Sequence, residues 1–228
     1  ATKMAAEGVK EIIVAGQDIT RYGEDIGESL ISLLGRLTSI DGPTWIRLMY
    51  CYPTRITDEL IERIAVERKI AKYIDIPLQH ADDQMLRKMN RRGSGEDYLR
   101  LIRRIRAACP EVAIRTSVIV GFPGEGSREF DHLVEFVREA RFDRMGVFTY
   151  SQEEGTPAST MDGQVSEAIK NRRYHALMLE QQRISLEINQ AMIGKEIDVL
   201  VETTARGRSY RDAPDVDGAV LLNGFDGK

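Results

Sequence analysis

Closely spaced cysteines are the first thing this sequence lacks. Only Cys51 and Cys109 occur, with 57 residues between them, whereas paired metal-ligand cysteines sit roughly two to four residues apart. Spacing therefore supports no metal site, and both cysteines read as buried, inert thiols of a reduced protein. Long apolar runs are also missing: none approaches the ~18 uninterrupted residues of a membrane span. No signal peptide is visible, so the expected location is cytoplasmic. Charge of one sign is not in large excess either. A net −4 over 228 residues gives no general attraction to nucleic acid and leaves room only for local basic patches. What is present, 42% hydrophobic residues, is ample for one large domain, with or without a small appendage.

Along the chain, Ala1–Glu7 reads as the last turns of a helix closed by Gly8. The run Val9–Ala15 then suits a strand buried on both faces. Further strand-like runs lie at Trp45–Cys51, Tyr73–Leu78, Ala113–Val120 and Arg144–Tyr150. Helical patterns at about 28–39, 57–69, 96–108 and 127–140 alternate with them. Strands alternating with helices predict right-handed βαβ units, a mainly parallel sheet and an α/β open barrel. After a loop rich in Glu, Gly and Pro (Gln152–Gly163), a long helix is expected over about 166–193, with Leu177, Ile184, Ile188 and Met192 as its apolar stripe. Glu196–Glu202 then alternates like a half-buried antiparallel strand, and Ala219–Leu222 is a second candidate. The division predicted is 1–194 for a partial barrel with its long helix and 195–228 for the start of a small all-β domain.

In parallel α/β folds, function gathers where the carboxyl ends of strands meet loops. Those ends are unusually polar here: Gly16-Gln17-Asp18, Tyr50-Cys51-Tyr52-Pro53, Gln79-His80, Gly121-Phe122-Pro123-Gly124-Glu125 and Thr149-Tyr150-Ser151-Gln152. Such density favours a ligand site over a set of plain turns. His80 is open to two readings, ligand contact or structural hydrogen bond, while His132 and His175 fall within helices. Gly121 and Gly124 around Pro123 suggest a tight turn that brings amides near a ligand. Arg115 would face the lumen or the helix layer, and a luminal guanidinium demands an acidic partner. The basic run Arg87-Lys88-Met89-Asn90-Arg91-Arg92-Gly93 reads as a solvated face or as an anion contact through Arg91 and Arg92.

The stretches Ile76-Pro77-Leu78-Gln79-His80, Met89-Asn90-Arg91-Arg92-Gly93 and Val120-Gly121-Phe122-Pro123-Gly124-Glu125, in this order, resemble the methylthiotransferase branch of the radical S-adenosylmethionine enzymes. Phe148-Thr149-Tyr150-Ser151 and Glu154-Gly155-Thr156-Pro157-Ala158 extend the resemblance over nearly the whole chain. Within that branch, Gln17-Asp18-Ile19-Thr20-Arg21-Tyr22-Gly23 and Gly207–Gly218 look like the members that modify an aspartate of ribosomal protein uS12. The other members modify an adenosine of transfer RNA.

The resemblance implies an incomplete radical-SAM-type barrel followed by the start of a TRAM-like domain, with one barrel strand expected to precede Ala1. It implies S-adenosylmethionine as cofactor and two 4Fe–4S clusters in the intact enzyme. The cluster ligands are absent here, because neither Cys51 nor Cys109 matches the family's cysteine pattern; the chain alone is expected to be inactive. By strand position, the contacts implied for S-adenosylmethionine are Gln17, Tyr50, Gln79, His80, Arg115, Gly121, Phe148 and Tyr150. The partner implied is uS12, with no membrane and with nucleic acid less favoured. Residues 195–228 carry five basic and seven acidic side chains, so Asp212, Asp215 and Asp217, together with Arg91 and Arg92, are expected at the substrate. For the three aspartates the competing reading is that they cap turns around Pro214.

Overall fold

Apolar runs with little polar alternation suit a parallel sheet, whose Trp45–Leu48 run is buried on both faces while Ile13, in the first run, is 41% exposed, contrary to expectation. In the computed structural model, which describes residues 1–224, its strands are β1 (Glu11–Val14), β2 (Trp45–Leu48), β3 (Ile70–Asp75), β4 (Ala113–Val120) and β5 (Arg144–Thr149). They are hydrogen-bonded in the order β1-β2-β3-β4-β5, which leaves β1 and β5 at open edges. The helices are α1 (Thr2–Ala6), α2 (Leu30–Thr38), α3 (Asp58–Val66), α4 (Asp83–Lys88), α5 (Gly95–Ala108), α6 (Ser127–Ala140) and α7 (Glu167–Gln190). Three antiparallel strands follow in the order β6 (Val199–Thr203), β7 (Arg206–Ser209), β8 (Val220–Leu221). This is the α/β class expected, with an open parallel sheet followed by a small all-β segment, whose last four residues, 225–228, lie outside the described residues. Among the described residues no helix is long and apolar enough to cross a membrane.

Local chemistry sets the helix starts. Ser29 accepts from the Ser32 amide at 3.1 Å to open α2, and Thr57 accepts from Leu60 at 3.2 Å to open α3. Glu129 reaches back to the Gly126 amide at 2.9 Å to open α6, which buries Leu133, Phe136, Val137 and Ala140.

Three elements differ from expectation. β3 begins and ends three residues earlier than Tyr73–Leu78, and its end falls before Pro77, which has no amide for the ladder. The chain nevertheless continues beside β4, with Ile76 N–H donating to Arg115 O at 2.9 Å. The basic run opens as helix α4, capped by Asp82, which accepts from Gln84 and Met85 at 2.9 and 3.1 Å. Strand β7 was not legible, since Arg206-Gly207-Arg208-Ser209 has no apolar residue to alternate.

The chain divides into two compact units. One comprises Ala1–Asp75, Ile105–Ile114 and the segment from Met192 onward; the other comprises Ile76–Arg104 and Arg115–Ala191. In the first, the C-terminal segment packs on the sheet: Ala213 joins buried Trp45, Met49, Ala71, Tyr73 and Ala113, with Leu200 and Tyr210 against them. A charged network lies beside this core. Arg47, fully buried, donates through Nε to Glu11 at 2.6 Å and through Nη1 to Tyr210 O at 2.7 Å, and its guanidinium stacks 4.5 Å from the Tyr73 ring centroid. Arg208 joins Glu11 at 2.7 Å and Glu202 at 2.5 Å.

This packing corrects two of the aspartates expected at the substrate. Asp212 is buried and accepts from the Ser209 hydroxyl at 2.7 Å, while Asp217 accepts from Tyr73 Oη at 2.6 Å and from the Ala213 amide at 2.9 Å. Both tie a turn around Pro214, as the competing reading had it. Asp215 alone stays exposed, in a left-handed conformation with φ +64°.

Candidate functional site

In the first unit, the strand ends expected to bind a ligand are tightly wired underneath and open on top. Asp18 caps the turn Ile19–Arg21, accepting from the Thr20 amide at 3.0 Å, and leaves Gln17 exposed. Tyr50, just past β2, has φ +62°, a conformation that costs a non-glycine residue about 1–3 kcal/mol. Its amide donates to Asp75 Oδ2 at 3.0 Å and its carbonyl accepts from Ile19 at 3.2 Å, so buried Asp75 holds the strained residue in place. The Tyr50 ring is left 46% exposed. A cavity of about 420 Å³ opens after β1, lined by Val14, Asp18, Ile19, Arg21, Tyr22 and Ile26 among others.

Cys51 and Cys109 are both free and buried in this unit. Burial, with Asp75 and Asp18 adding, pushes the Cys51 thiol far above the usual range. Burial, reinforced by Glu111, pushes Cys109 up to about 11. Iron–sulfur ligation requires thiolates, so these two side chains do not fit a cluster. An alkylation experiment checks this: at pH 8 the native chain should resist iodoacetamide at both positions and react at both in urea. The sign of the pH dependence follows. Both thiols stay protonated in the fold and ionise near 8.5 once unfolded. Their stabilising contribution is complete below about pH 8.5 and is lost as pH rises through the raised folded values. An unfolding midpoint that did not fall between pH 8.5 and 11 would contradict this.

In the second unit, β4 and β5 present one buried and one open face. Arg115, Ser117 and Ile119 pair in register with Arg144, Gly146 and Phe148, and these six form the face that is not fully covered. Phe148 is 56% exposed. Gly146 makes room for its ring, because a Cβ there would stand 3.2 Å from it. Beside them, Gln79 has φ +74° and is clamped between two β4 groups, donating to Ser117 O at 2.9 Å and accepting from Ile119 at 2.8 Å.

His80 does not reach this face. It is fully buried, and its Nδ1 accepts from the Asp82 amide at 3.0 Å, which leaves the proton of the neutral ring on Nε2. Nε2 faces Glu125 Oε2 at 3.3 Å. Of the two readings for His80, the structural hydrogen bond is the one seen. Glu125, buried as well, accepts from Arg173 Nη1 at 2.7 Å and from the Gly121 amide at 3.0 Å. The turn at Gly121 therefore closes on a side chain of its own chain. Gly121 has φ +76°, and a Cβ there would collide with the stem of Lys170.

Tyr150 packs edge-on against Phe122, centroids 5.2 Å apart, and its buried hydroxyl makes no hydrogen bond. Arg91 donates to the Pro77 carbonyl and is half-buried, so it braces the chain after β3, whereas Arg92 is exposed. His132, exposed on α6, bonds Asp82 at 2.9 Å.

The residues missed by sequence reasoning are Lys170, Arg173 and Gln181, all buried on α7. Their signal was available: stepping back from Leu177 by one and two helical turns lands on Arg173 and Lys170, but a search for apolar residues passes over them.

Comparison with known proteins agrees with this architecture. The Radical SAM superfamily matches residues 1–137, and the TRAM domain matches 193–228. The ribosomal protein uS12 methylthiotransferase RimO of Heliobacterium modesticaldum is 52% identical over 224 residues, covering 95% of this chain and 49% of the relative. The protein of the same name from Thermodesulfovibrio yellowstonii is 51% identical over 220 residues, covering 94% and 52%. The chain thus spans about half the length of these relatives. Among solved structures, the radical S-adenosylmethionine methyltransferase TsrM of Kitasatospora setae superposes with TM-score 0.52 at 18% identity, over 65% of this chain and 29% of that one. Coproporphyrinogen III oxidase of Escherichia coli does so with TM-score 0.51 at 16% identity, over 73% and 39%. At such identities the likeness concerns the fold alone.

Proposed function

The chain belongs to the Radical SAM superfamily, and from that premise we propose that it forms the sheet-bearing part of an enzyme that methylthiolates the β-carbon of an aspartate in ribosomal protein uS12. Support comes from about half identity, over nearly the entire chain, to proteins named as methylthiotransferases of ribosomal protein uS12. The observation that carries the reading is the open face of β4 and β5, where Phe148 is exposed beside Gly146 and Arg115. An apolar ring next to a guanidinium suits a ligand with a flat base and a carboxylate, as S-adenosylmethionine has. When bound, S-adenosylmethionine supplies radical chemistry to such enzymes.

This chain's residues act by binding and exclusion. Phe148 offers a stacking surface, Arg115 a positive charge, and the clamped Gln79 holds the neighbouring loop rigid. The buried face of the same strands keeps water from the back of the site. Cys51 and Cys109, both buried and protonated, do not fit an iron–sulfur cluster. Residues from Lys195 onward, net −2, suit a basic protein partner better than RNA, and a ribosomal substrate puts the enzyme in the cytoplasm.

The test uses the gene product at the full length of its relatives, loaded anaerobically with iron and sulfide and given S-adenosylmethionine with uS12. Mass spectrometry should find a methylthio group on one uS12 aspartate. Methylthiolated adenosine in transfer RNA, with uS12 unmodified, would overturn the substrate assignment.

A further inference from the structure

The chain from Val14 to Ile26 wraps around the cavity past β1, about 420 Å³ in volume. Its apolar and aromatic liners are Val14, Ile19, Tyr22 and Ile26, and Gln17, expected at the cofactor, is not among the liners. The loop is held in one shape by its own backbone. Gly23 is buried with φ +83°, and a Cβ there would stand 2.4 Å from the Glu28 backbone. The Gly23 carbonyl accepts from the Ile26 amide at 3.1 Å and from the Glu28 amide at 2.9 Å. A loop braced in this way nevertheless leaves Ile26 66% and Tyr22 37% exposed.

The charges of the loop nearly cancel. Arg21 meets Glu24 at 3.0 Å, Arg55 meets Glu24 and, at 3.8 Å, Asp18, and Arg36 meets Glu28 at 3.3 Å. Asp18, Glu24 and Glu28 are thus matched by Arg21, Arg55 and Arg36, and Asp18 also accepts from the Thr20 amide at 3.0 Å. Asp25 is left over. It lines the cavity, it is exposed, and among the described residues no cation pairs with it. The Tyr22 hydroxyl can accept as readily as donate, so it opposes neither sign of charge. Apolar walls beside one unmatched carboxylate suit a side chain with an apolar stem and a cationic head.

We propose that this cavity docks an arginine or lysine side chain of the protein substrate, its stem against Ile19 and Ile26 and its charge at Asp25. The proposal rests on the function proposed above and names a group by which that substrate is held. A preformed cavity favours it, since little ordering of the loop is needed when the side chain enters. RNA offers no such group, and Asp25 repels its phosphates.

The test is methyl NMR of the gene product at the full length of its relatives, labelled at isoleucine. One probe is N-acetylarginine amide; the other is N-acetylcitrulline amide, of similar shape without the charge. The arginine probe should shift the methyls of Ile19 and Ile26 and saturate in the millimolar range, and the citrulline probe should bind about fivefold more weakly. D25N should weaken the arginine probe about fivefold and I26A about threefold, with Ile19 as reporter, while D25E restores most of the affinity. Both substituted residues are exposed, and methyl spectra of the free variants show whether each is folded. Added uS12 should shift the same two methyls, and the arginine probe should compete with it. Equal binding of the two probes, no saturable shift, or the same shifts with transfer RNA in place of uS12 would each overturn the site. Failure of the probes leaves the uS12 reaction standing. Conversely, Asp25-dependent arginine binding with no methylthiolation of uS12 would sink the function and leave the site.

Discussion

Glu125→Ala should lower the free energy of unfolding by about 3–5 kcal/mol, the range for removing one partner of a buried ion pair. The Glu125 carboxylate has no exposed surface, and Arg173, 10% exposed, depends on it at 2.7 Å. Arg173 also donates to the Glu125 carbonyl at 2.9 Å, which is a weaker acceptor than a carboxylate. The same substitution also frees the Gly121 amide and leaves His80 Nε2 facing a void. Glu125→Gln keeps an oxygen for the amide and the guanidinium and should lose about half as much. Urea unfolding followed by circular dichroism measures both, and an alanine variant within about 1 kcal/mol of the parent would mean that Arg173 finds another acceptor.

Arg47→Ala is expected to be comparably harmful and to act far along the chain. Arg47 is fully buried between Glu11, the Tyr210 carbonyl and the Tyr73 ring. Its loss should cost about 3–5 kcal/mol and release the turn it pins. Hydrogen exchange should show it: amides from Tyr210 to Asp217 should exchange roughly a hundredfold faster, since each ~1.4 kcal/mol is a factor of ten. Arg47→Met, which keeps the volume and removes the charge, would separate packing from pairing. If exchange in that segment is unchanged by alanine, the network does not hold the C-terminal strands.

Where sequence and structure agree, a periodic signal was strong. β4 and α6 were bounded to the residue, because Ala113–Val120 and the Phe130-to-Val137 stripe each have one clear period. The strand ends are polar as expected, but which of their side chains reaches solvent was not legible. Nothing in the string distinguishes Tyr50, held exposed by Asp75, from His80, sealed between Asp82 and Glu125. Both are polar residues after a strand, and only packing decides which one meets solvent. Asp212 and Asp217 show the same limit. Their spacing around Pro214 fitted a charged surface and a pair of turn caps equally well, and hydrogen bonds to Ser209 and Tyr73 decide for the caps. Lys170 and Arg173 were passed over for a different reason, since charged residues on a buried helix face contradict the pattern used to find that face.

The buried tie between Arg47 and the Tyr210 carbonyl spans 163 residues of sequence, and this fixes an order on the ribosome. At synthesis rates of ~5–20 residues per second, Arg47 is incorporated roughly 8–30 seconds before Tyr210 exists. During that time a buried-type arginine and the apolar surface of Trp45 and Tyr73 have no C-terminal cover. Residues 76–104 and 115–191, which make the other unit, are all translated before Tyr210. The second unit is thus expected to finish first, although it is later in the chain. The first waits, open to chaperones, for its last strands to be made.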